Sequence, residues 1–240
     1  MGTVLAGVHP VLEALRAGRP IERILIARGA STSRLQEILD RSRAAGIPLR
    51  FQARQVLDRM SGPTPHQGVV AVAAAHHYAA FEDLIPRSRL LVALDGVEDP
   101  HNLGAIIRTA HAAGADGLVV PERRSAGLSP VVAKAAAGAL EYLPVARVVN
   151  LSRALDRLKE SGYWVYGLDE RGEHVYDRLQ YAERAAFVLG AEGRGLHEHV
   201  RTRCDFLVRI PCRGPIGSLN VSVAAGIVLF EWRRQRAESE

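Results

Sequence analysis

The sequence predicts an α/β protein built from two α/β units. Two observations predict it. Apolar stretches of strand length alternate with helix-like stretches along the chain, and this alternation is interrupted once, at residues 76–88. A chain of 240 residues is long enough for one large domain or two small ones. We therefore expect a small domain over residues 1–75, a linker over residues 76–88 and a larger domain over residues 89–240.

The first unit carries clear helix and turn signals. Ser31 or Thr32 can cap a helix that runs to about Ala45, and Gly46 can end it. The turn-rich stretch SGPTPHQG precedes a last apolar strand. In chain order the predicted elements are a helix over 10–16, a strand over 21–27, the capped helix, a strand over 48–51, a helix over 53–60 and a strand over 69–74.

The second unit begins with LLVAL at residues 90–94, a run typical of a fully buried parallel strand. Strands separated by helices follow, which again indicates a parallel sheet. In chain order the predicted elements are a helix over 102–113, a strand over 117–120, a helix over 130–139, a strand over 145–148, a helix over 151–161, strands over 163–168, 186–189 and 206–210, and a helix over 219–236.

The charge of the chain is unevenly distributed. The formal net charge is +5, and every basic residue except Lys134 and Lys159 is an arginine. Residues 1–75 hold ten arginines against five acidic residues, whereas the remainder holds twenty-one basic and twenty-one acidic residues. Solvated arginines on exposed helices are one explanation. The other is that the first unit binds nucleic-acid phosphates while the second performs a different task.

Several classes of protein are excluded by missing motifs. No lysine follows a glycine, as a Walker phosphate loop requires, and no GxGxxG, GxSxG or HExxH motif occurs. Cys204 and Cys212 form no CxxC pair, so we expect no structural zinc site, no redox motif and no disulfide framework. The first residues contain no basic stretch followed by an apolar core, so we expect no signal peptide and a cytoplasmic protein.

Polar residues gather directly after the strand at 90–94. The segment DGVEDPHNLGAIIR covers residues 95–108 and lies where open α/β sheets usually bind ligands. Asn102 is placed to cap the following helix, and Arg108 lies nearly two turns later. Each residue alone has an ordinary explanation, as a helix cap and as a surface arginine.

Two later segments show the same accumulation of polar and glycine residues. GAEGRGL, residues 190–196, holds Glu192 among three glycines that let the backbone approach a ligand closely. In IPCRGPIGSLNVSVAA, residues 210–225, a Pro/Gly loop runs into a helix whose predicted first turn carries Ser218 and Asn220. Ser218 alone could cap that helix. The free N–H groups of the first helical turn could instead bind polar or anionic ligand atoms.

In this order and spacing, the three segments resemble the SpoU/TrmH family of RNA ribose 2′-O-methyltransferases, within the SPOUT superfamily. The matching pieces are NLGAIIRTA, LGAEGRGL and IPCRGPIGSLNVSVAAG. AGVHPVLEAL at 6–15 and HQGVVAV at 66–72 resemble the family's L30e-like RNA-binding domain. The stretch at 129–151 is similar to the branch that modifies a guanosine of large-subunit (23S) rRNA.

The resemblance implies S-adenosylmethionine as the cofactor, a C-terminal trefoil knot and a homodimer formed through the knot region. It implies that the cofactor contacts Leu168, Gly190, Ile210 and Leu219. It also implies a catalytic set that activates the ribose hydroxyl, made of Asn102, Arg108, Glu192, Ser218 and Asn220. Because the pKa of arginine exceeds about 12, we expect Arg108 to stabilise charge and position phosphate rather than to accept a proton.

Three alternatives remain open at this point. A 2′-O-methyltransferase acting on tRNA would carry the same motifs. A non-catalytic rRNA-binding or ribosome-assembly protein could share the scaffold, although it would have no need of all five catalytic residues. An Mg²⁺-dependent phosphodiesterase could use Asp95, Glu98 and Asp99, although Asp and Pro also collect at strand-to-helix turns for capping.

Overall fold

The computed structural model describes residues 2–214 and 217–237. They form two compact units, one ending at His77 and the other beginning at Tyr78. Both units combine helices with a sheet, so the predicted α/β class is confirmed. Among the described residues, no helix combines the length and the apolar character needed to cross a membrane.

The first unit is a four-stranded sheet with helices on both faces. Val11, Ile24 and Ile38 lie in the core on one face, and Leu57 packs with Val70 on the other. The sheet order is β1-β4-β2-β3, with β4 antiparallel to both neighbours and β2 parallel to β3. The elements are β1 (Thr3–Ala6), α1 (Val8–Arg16), β2 (Ile21–Ala27), α2 (Ser33–Ala44), β3 (Leu49–Gln52), α3 (Arg54–Ser61) and β4 (Val69–Ala73).

The second unit contains a parallel sheet of seven strands. Its elements begin with α4 (Phe81–Leu84), a 3-10 turn (Ile85–Arg87), β5 (Leu90–Asp95), α5 (Pro100–Ala113), β6 (Gly117–Pro121), α6 (Pro130–Ala136) and a second 3-10 turn (Ala139–Glu141). They continue with β7 (Val145–Val148), α7 (Leu151–Glu160), β8 (Trp164–Leu168), β9 (His174–Val175), β10 (Ala185–Gly190), α8 (Glu198–Arg201), β11 (Phe206–Arg209) and α9 (Val221–Ala237).

The strand order of this sheet is β7-β6-β5-β10-β8-β11-β9, and an apolar cluster packs on each of its faces. Helices α5, α6 and α9 cover one face, and α4, α7 and α8 cover the other. Because all its strands are parallel, their carboxyl ends meet at one edge. Gly190 at the end of β10 is level with Asp95 at the end of β5.

The segment expected to be a linker is largely structured. Of residues 76–88, those from Tyr78 onwards belong to the second unit, where Leu84 and Ile85 join its core. Three further elements, β1, β9 and α8, are absent from the prediction and have only four, two and four residues. Elements this short bury too few residues to produce a readable periodicity.

Two predicted helix caps are wrong. Asp99, not Asn102, caps α5: its carboxylate accepts from the His101 N–H at 3.0 Å, and Pro100 occupies the first helical position. Aspartate is favoured at the N-cap and proline at the first helical position, so the helix begins two residues earlier than predicted. Asn220, not Ser218, caps α9, since its side-chain oxygen accepts from the Ser222 N–H at 2.9 Å. Part of the predicted Pro/Gly loop, at 215–216, lies outside the described residues.

Candidate active site

A cavity of about 360 Å³ opens at the carboxyl ends of three neighbouring strands, β10, β8 and β11. Leu168 ends β8, Gly190 ends β10 and Ile210 follows β11, so each strand supplies one wall. Leu219 and the first turn of α9 close the remaining side. The cavity therefore combines apolar side chains with loop backbone, which is the usual make-up of a small-molecule site.

The glycines of the 190–196 loop have distinct geometric roles. A Cβ on Gly190 would lie 2.2 Å from the carbonyl carbon of Gly195, so only glycine allows the two backbone segments to approach this closely. Gly193 and Gly195 adopt φ angles of 73° and 68°, in the left-handed region that favours glycine. The Gly195 N–H donates to the Ala191 carbonyl at 2.9 Å. The loop thus folds back on itself beside the cavity.

Asn220 joins two distant segments in one hydrogen-bond network. Its Nδ2 donates to Oδ1 of Asn102 at 3.0 Å and also to Oε1 of Glu192. Its Oδ1 accepts from the backbone N–H of Ser222 and, at 2.5 Å, from the Ser222 hydroxyl. Asn102 is buried, whereas Asn220 and Glu192 are exposed, and Glu192 lines the cavity. The network therefore holds one carboxylate and one amide in fixed positions facing solvent.

Asp169 adds a second fixed carboxylate to the cavity. It is buried, and Arg171 binds it through two side-chain hydrogen bonds of 2.9 Å and one backbone hydrogen bond of the same length. The hydrogen bonds from the Arg171 side chain lower the pKa of Asp169. The group therefore stays ionised at neutral pH. Asp169 carries the same sequence signal as Asp95, an acidic residue directly after a buried strand, yet it is absent from the predicted site residues.

Arg108 stands apart from these groups. It lies six residues after Asn102 on α5, which is about 9 Å along the helix axis. Its side chain is exposed, and it has no hydrogen bond or ion pair with any residue in the described part of the chain. It does not line the cavity. The fold of one chain thus leaves this guanidinium free for a partner from outside.

Two of the three carboxylates considered for Mg²⁺, Asp95 and Asp99, have other roles, and Glu98 is exposed. Asp95 accepts from the backbone N–H of His197 at 2.7 Å and lies 3.0 Å from Nδ1 of the same residue. Asp99 caps α5. Within residues 2–214 and 217–237, no group of three His, Cys, Asp or Glu side chains is arranged to hold a metal ion.

Five catalytic and four cofactor-binding residues are expected from the sequence, and the structure brings eight of these nine together. Asn102 and Asn220 join Glu192 through hydrogen bonds, and Arg108 is the residue left outside. The selected residues that line the cavity are Leu168, Gly190, Glu192, Ile210, Ser218 and Leu219.

Comparison with known proteins agrees with this architecture. The SpoU rRNA methylase family model matches residues 89–230, and a model for the substrate-binding domain of RNA 2′-O ribose methyltransferases matches residues 4–79. A Staphylococcus aureus (strain COL) protein, named as a TrmH family tRNA/rRNA methyltransferase, is 41% identical over 98% of this chain and 96% of its own length.

Two solved structures share the fold over nearly the whole chain. The SpoU methyltransferase AviRb from Streptomyces viridochromogenes, in complex with AdoMet, has a TM-score of 0.82 and 28% identity, covering 98% of this chain and 91% of that one. The AdoMet-bound rRNA methyltransferase from Sinorhizobium meliloti also has a TM-score of 0.82 and 28% identity, covering 96% and 86%. This chain belongs to the SpoU/TrmH family of RNA methyltransferases.

Proposed function

We propose that this protein transfers a methyl group from S-adenosylmethionine to the ribose 2′-hydroxyl of a guanosine in 23S rRNA. The observation that carries the proposal is the hydrogen-bond network of Asn102, Asn220 and Glu192 at the rim of the cavity. A protein that only binds RNA would have no use for a carboxylate fixed at the mouth of a small-molecule cavity.

The residues of the cavity fit S-adenosylmethionine chemically. Leu168, Ile210 and Leu219 supply apolar contacts for an adenine ring, and the glycine loop supplies backbone polar groups. Asp169 and Glu192 supply negative charge for ribose hydroxyls and for the cationic groups of the cofactor. When bound, the cofactor provides a methyl group activated by its positively charged sulfur.

The protein's own task in this reaction is to orient the ribose and to stabilise charge. A ribose hydroxyl is a poor nucleophile at neutral pH, so developing negative charge on its oxygen needs a nearby cation. We assign this role to Arg108, whose guanidinium is free of ion pairs with the described residues. Asn220 and Glu192 would hold the ribose hydroxyl in line with the methyl group by hydrogen bonds. Holding two reactants in the correct orientation contributes strongly to the rate.

We assign RNA binding to the first unit, on the basis of its unpaired arginines. Within the described residues of this unit, five exposed arginines form no ion pair. Arg28 and Arg54 follow the carboxyl ends of β2 and β3, where the Arg28 N–H donates to the carbonyl of Gln52. Phe51 on β3 is 52% exposed and offers a surface on which a base could stack. The five are Arg28, Arg34, Arg50, Arg54 and Arg59.

We extend the proposal to a homodimer. Val223 and Phe230 on α9 are 51% and 48% exposed, and Ile227 lies between them on the same helical face. An apolar stripe of this kind indicates a protein interface. Helix α9 packs against α5, which carries Arg108, so a second copy seated on the stripe would lie close to the active-site residues.

We also propose the trefoil knot, and the cytoplasm as the site of action. The knot is supported by the sheet order, because β10 and β11 pair with opposite edges of β8. The chain from β10 to β11 must therefore cross β8. The cytoplasmic location is supported by the two free thiols, which a reducing compartment preserves.

The proposal is tested by labelled methyl transfer from S-adenosylmethionine to protein-free rRNA and tRNA, followed by mapping of the 2′-O-methylated nucleotide. Asn220→Ala should lower the rate by about 10²–10³-fold, a typical loss when one oriented donor is removed from an active site. Asn220→Ser should lose activity equally while keeping a helix cap, which separates the network from the stability of α9. Transfer to tRNA alone would contradict the rRNA assignment. The absence of transfer to both RNAs would contradict the proposal that the protein is an RNA methyltransferase.

The two cysteines offer a test of cofactor binding that needs no RNA. Cys212 is exposed and lines the cavity, whereas burial raises the pKa of the Cys204 thiol to about 12. Near neutral pH we expect an alkylating reagent to label Cys212 and to spare Cys204, because the thiolate is the reactive form. S-adenosylmethionine should slow labelling of Cys212, as measured by mass spectrometry. Equal rates with and without a saturating cofactor would argue against this cavity as its site.

A further inference from the structure

A second cavity lies at the same edge of the sheet, next to the candidate active site. It has a volume of about 240 Å³ and opens beyond the carboxyl ends of β5, β6 and β7. Its described lining residues are different from those of the first cavity. The two are connected through one loop: Glu192 faces the first cavity, and His197 lines the second.

Two arginines and two histidines line the second cavity. Arg123, Arg124, His197 and His199 all face it, and Asp95 is the one acidic residue among the described lining residues. That carboxylate is already committed to His197. Neither arginine forms an ion pair with any residue that the structure describes. The cavity thus presents positive charge that the described chain does not neutralise.

Arg124 is held in place rather than free in solvent. Its φ angle is 57°, in the left-handed region that residues other than glycine rarely adopt. Its Nη1 lies 3.4 Å from Nε2 of His197. Because Asp95 faces Nδ1 of that imidazole at 3.0 Å, the ring proton belongs on Nδ1, and Nε2 is left to accept from Arg124. Asp95, His197 and Arg124 form a chain that aims the guanidinium.

The start of α7 adds to the positive potential of the same cavity. Asn150 and Leu151 line it, and Asn150 caps this ten-residue helix by accepting from the Arg153 N–H at 3.1 Å. The first N–H groups of a helix carry partial positive charge. The Ser152 hydroxyl donates to the carbonyl of His199 at 3.1 Å, which ties the helix start to the loop that carries both histidines.

We propose that this second cavity binds a backbone phosphate of the RNA substrate, through Arg124 with Arg123 beside it. The inference rests on the proposed function, since an RNA substrate is what would bring a phosphodiester to this edge. Arginine suits the task because its planar guanidinium can donate two hydrogen bonds to one phosphate. A phosphate held here would fix the path of the strand relative to the first cavity without reading a base.

The test measures binding of polyuridylate to the full-length protein as a function of salt concentration. Arg124→Gly removes the guanidinium at a position whose φ angle glycine adopts without strain, so the fold should be retained. We expect weaker binding, and a slope of log K against log salt that is shallower by about 0.7, the value for one phosphate contact on a single strand. Arg123→Gln serves as the second variant, in case the first alters its loop.

Arg178→Gln is the matched control, because it removes an exposed arginine of the same unit that has no ion pair among the described residues. An equal change of slope in this control would overturn the site, since the effect would then be one of overall charge. A second arm titrates inorganic phosphate alone. Phosphate binding that Arg124→Gly abolishes, with unchanged polyuridylate slopes, would assign the cavity to a free anion and overturn the RNA contact.

Methyl transfer by the wild-type protein is measured in parallel, so that two kinds of failure are distinguishable. If the wild type methylates rRNA and the Arg124→Gly slope is unchanged, the phosphate site is wrong and the proposed function stands. If the wild type transfers no methyl group to any RNA, the proposed function is wrong, and the RNA assignment of this cavity loses its basis.

Discussion

Replacing Arg108 by alanine should lower the rate of methyl transfer to rRNA by about a hundredfold or more, the loss expected when a group that stabilises transition-state charge is removed. Affinity for S-adenosylmethionine should be nearly unchanged, because Arg108 does not line the cofactor cavity. Stability should also be retained, since the side chain is exposed and has no partner among the described residues. Rates, cofactor titration and thermal denaturation measure the three quantities.

Two further variants sharpen this result. Arg108→Lys keeps the charge but not the planar pair of donors, so we expect activity between that of the wild type and that of the alanine variant. If the guanidinium serves the cavity of a second copy, heterodimers of Arg108→Ala with Asn220→Ala should contain one intact site and keep about half of the activity. If it serves its own cavity, both sites of that heterodimer are defective. Full activity of Arg108→Ala would remove Arg108 from the mechanism.

Replacing Gly190 by alanine should have the largest effect on the cavity that we propose for S-adenosylmethionine. The added Cβ would meet the carbonyl carbon of Gly195 at 2.2 Å and the backbone nitrogen of Leu196 at 2.5 Å. Backbone atoms cannot yield as a flexible side chain can, so the 190–196 loop must move. Overpacking of this kind typically costs about 1–3 kcal/mol. We expect a lower melting temperature and at least a tenfold loss of affinity for S-adenosylmethionine, which corresponds to about 1.4 kcal/mol.

Gly217→Ala is the matched control for this prediction. Gly217 lines the same cavity, but a Cβ added there would meet no atom of the described residues within 4 Å. We expect normal stability and nearly normal binding, measured by calorimetric titration. Equal losses in both variants would mean that the loop tolerates no change at all, and normal binding by Gly190→Ala would contradict the close approach of the two backbone segments.

Periodicity was sufficient to predict most of the second unit. Buried strands such as LLVAL produce an unbroken apolar signal, and Asn150 and Thr32 cap helices at places close to those that the sequence indicates. Short elements such as β9 carry no such signal. The caps at Asn102 and Ser218 were misassigned because several favourable residues stand within three positions, and local preference cannot rank them.

The candidate site was predictable only in part. The residue types after the strands could be read locally, but the hydrogen bond between Asn102 and Asn220 joins positions 118 residues apart. No local pattern predicts that contact. The bidentate pair of Asp169 and Arg171 was overlooked because an acid followed by an arginine is common on surfaces. Arg108 lies outside the cavity because six residues of α5 separate it from Asn102, about 9 Å along the helix axis. The segment NLGAIIRTA alone does not show this separation.

The cavity at the carboxyl ends of β10, β8 and β11 has a consequence for biosynthesis, because the residues that line it come late in the sequence. Leu168 is the earliest lining residue, and the latest, Val221 and Ala224, lie in the final helix. That helix packs against α5, which is made more than a hundred residues earlier. A nascent chain that lacks α9 would therefore contain all seven strands of the sheet but an incomplete cavity. On the ribosome the cavity is therefore completed only after α9 has been synthesised and has packed against α5.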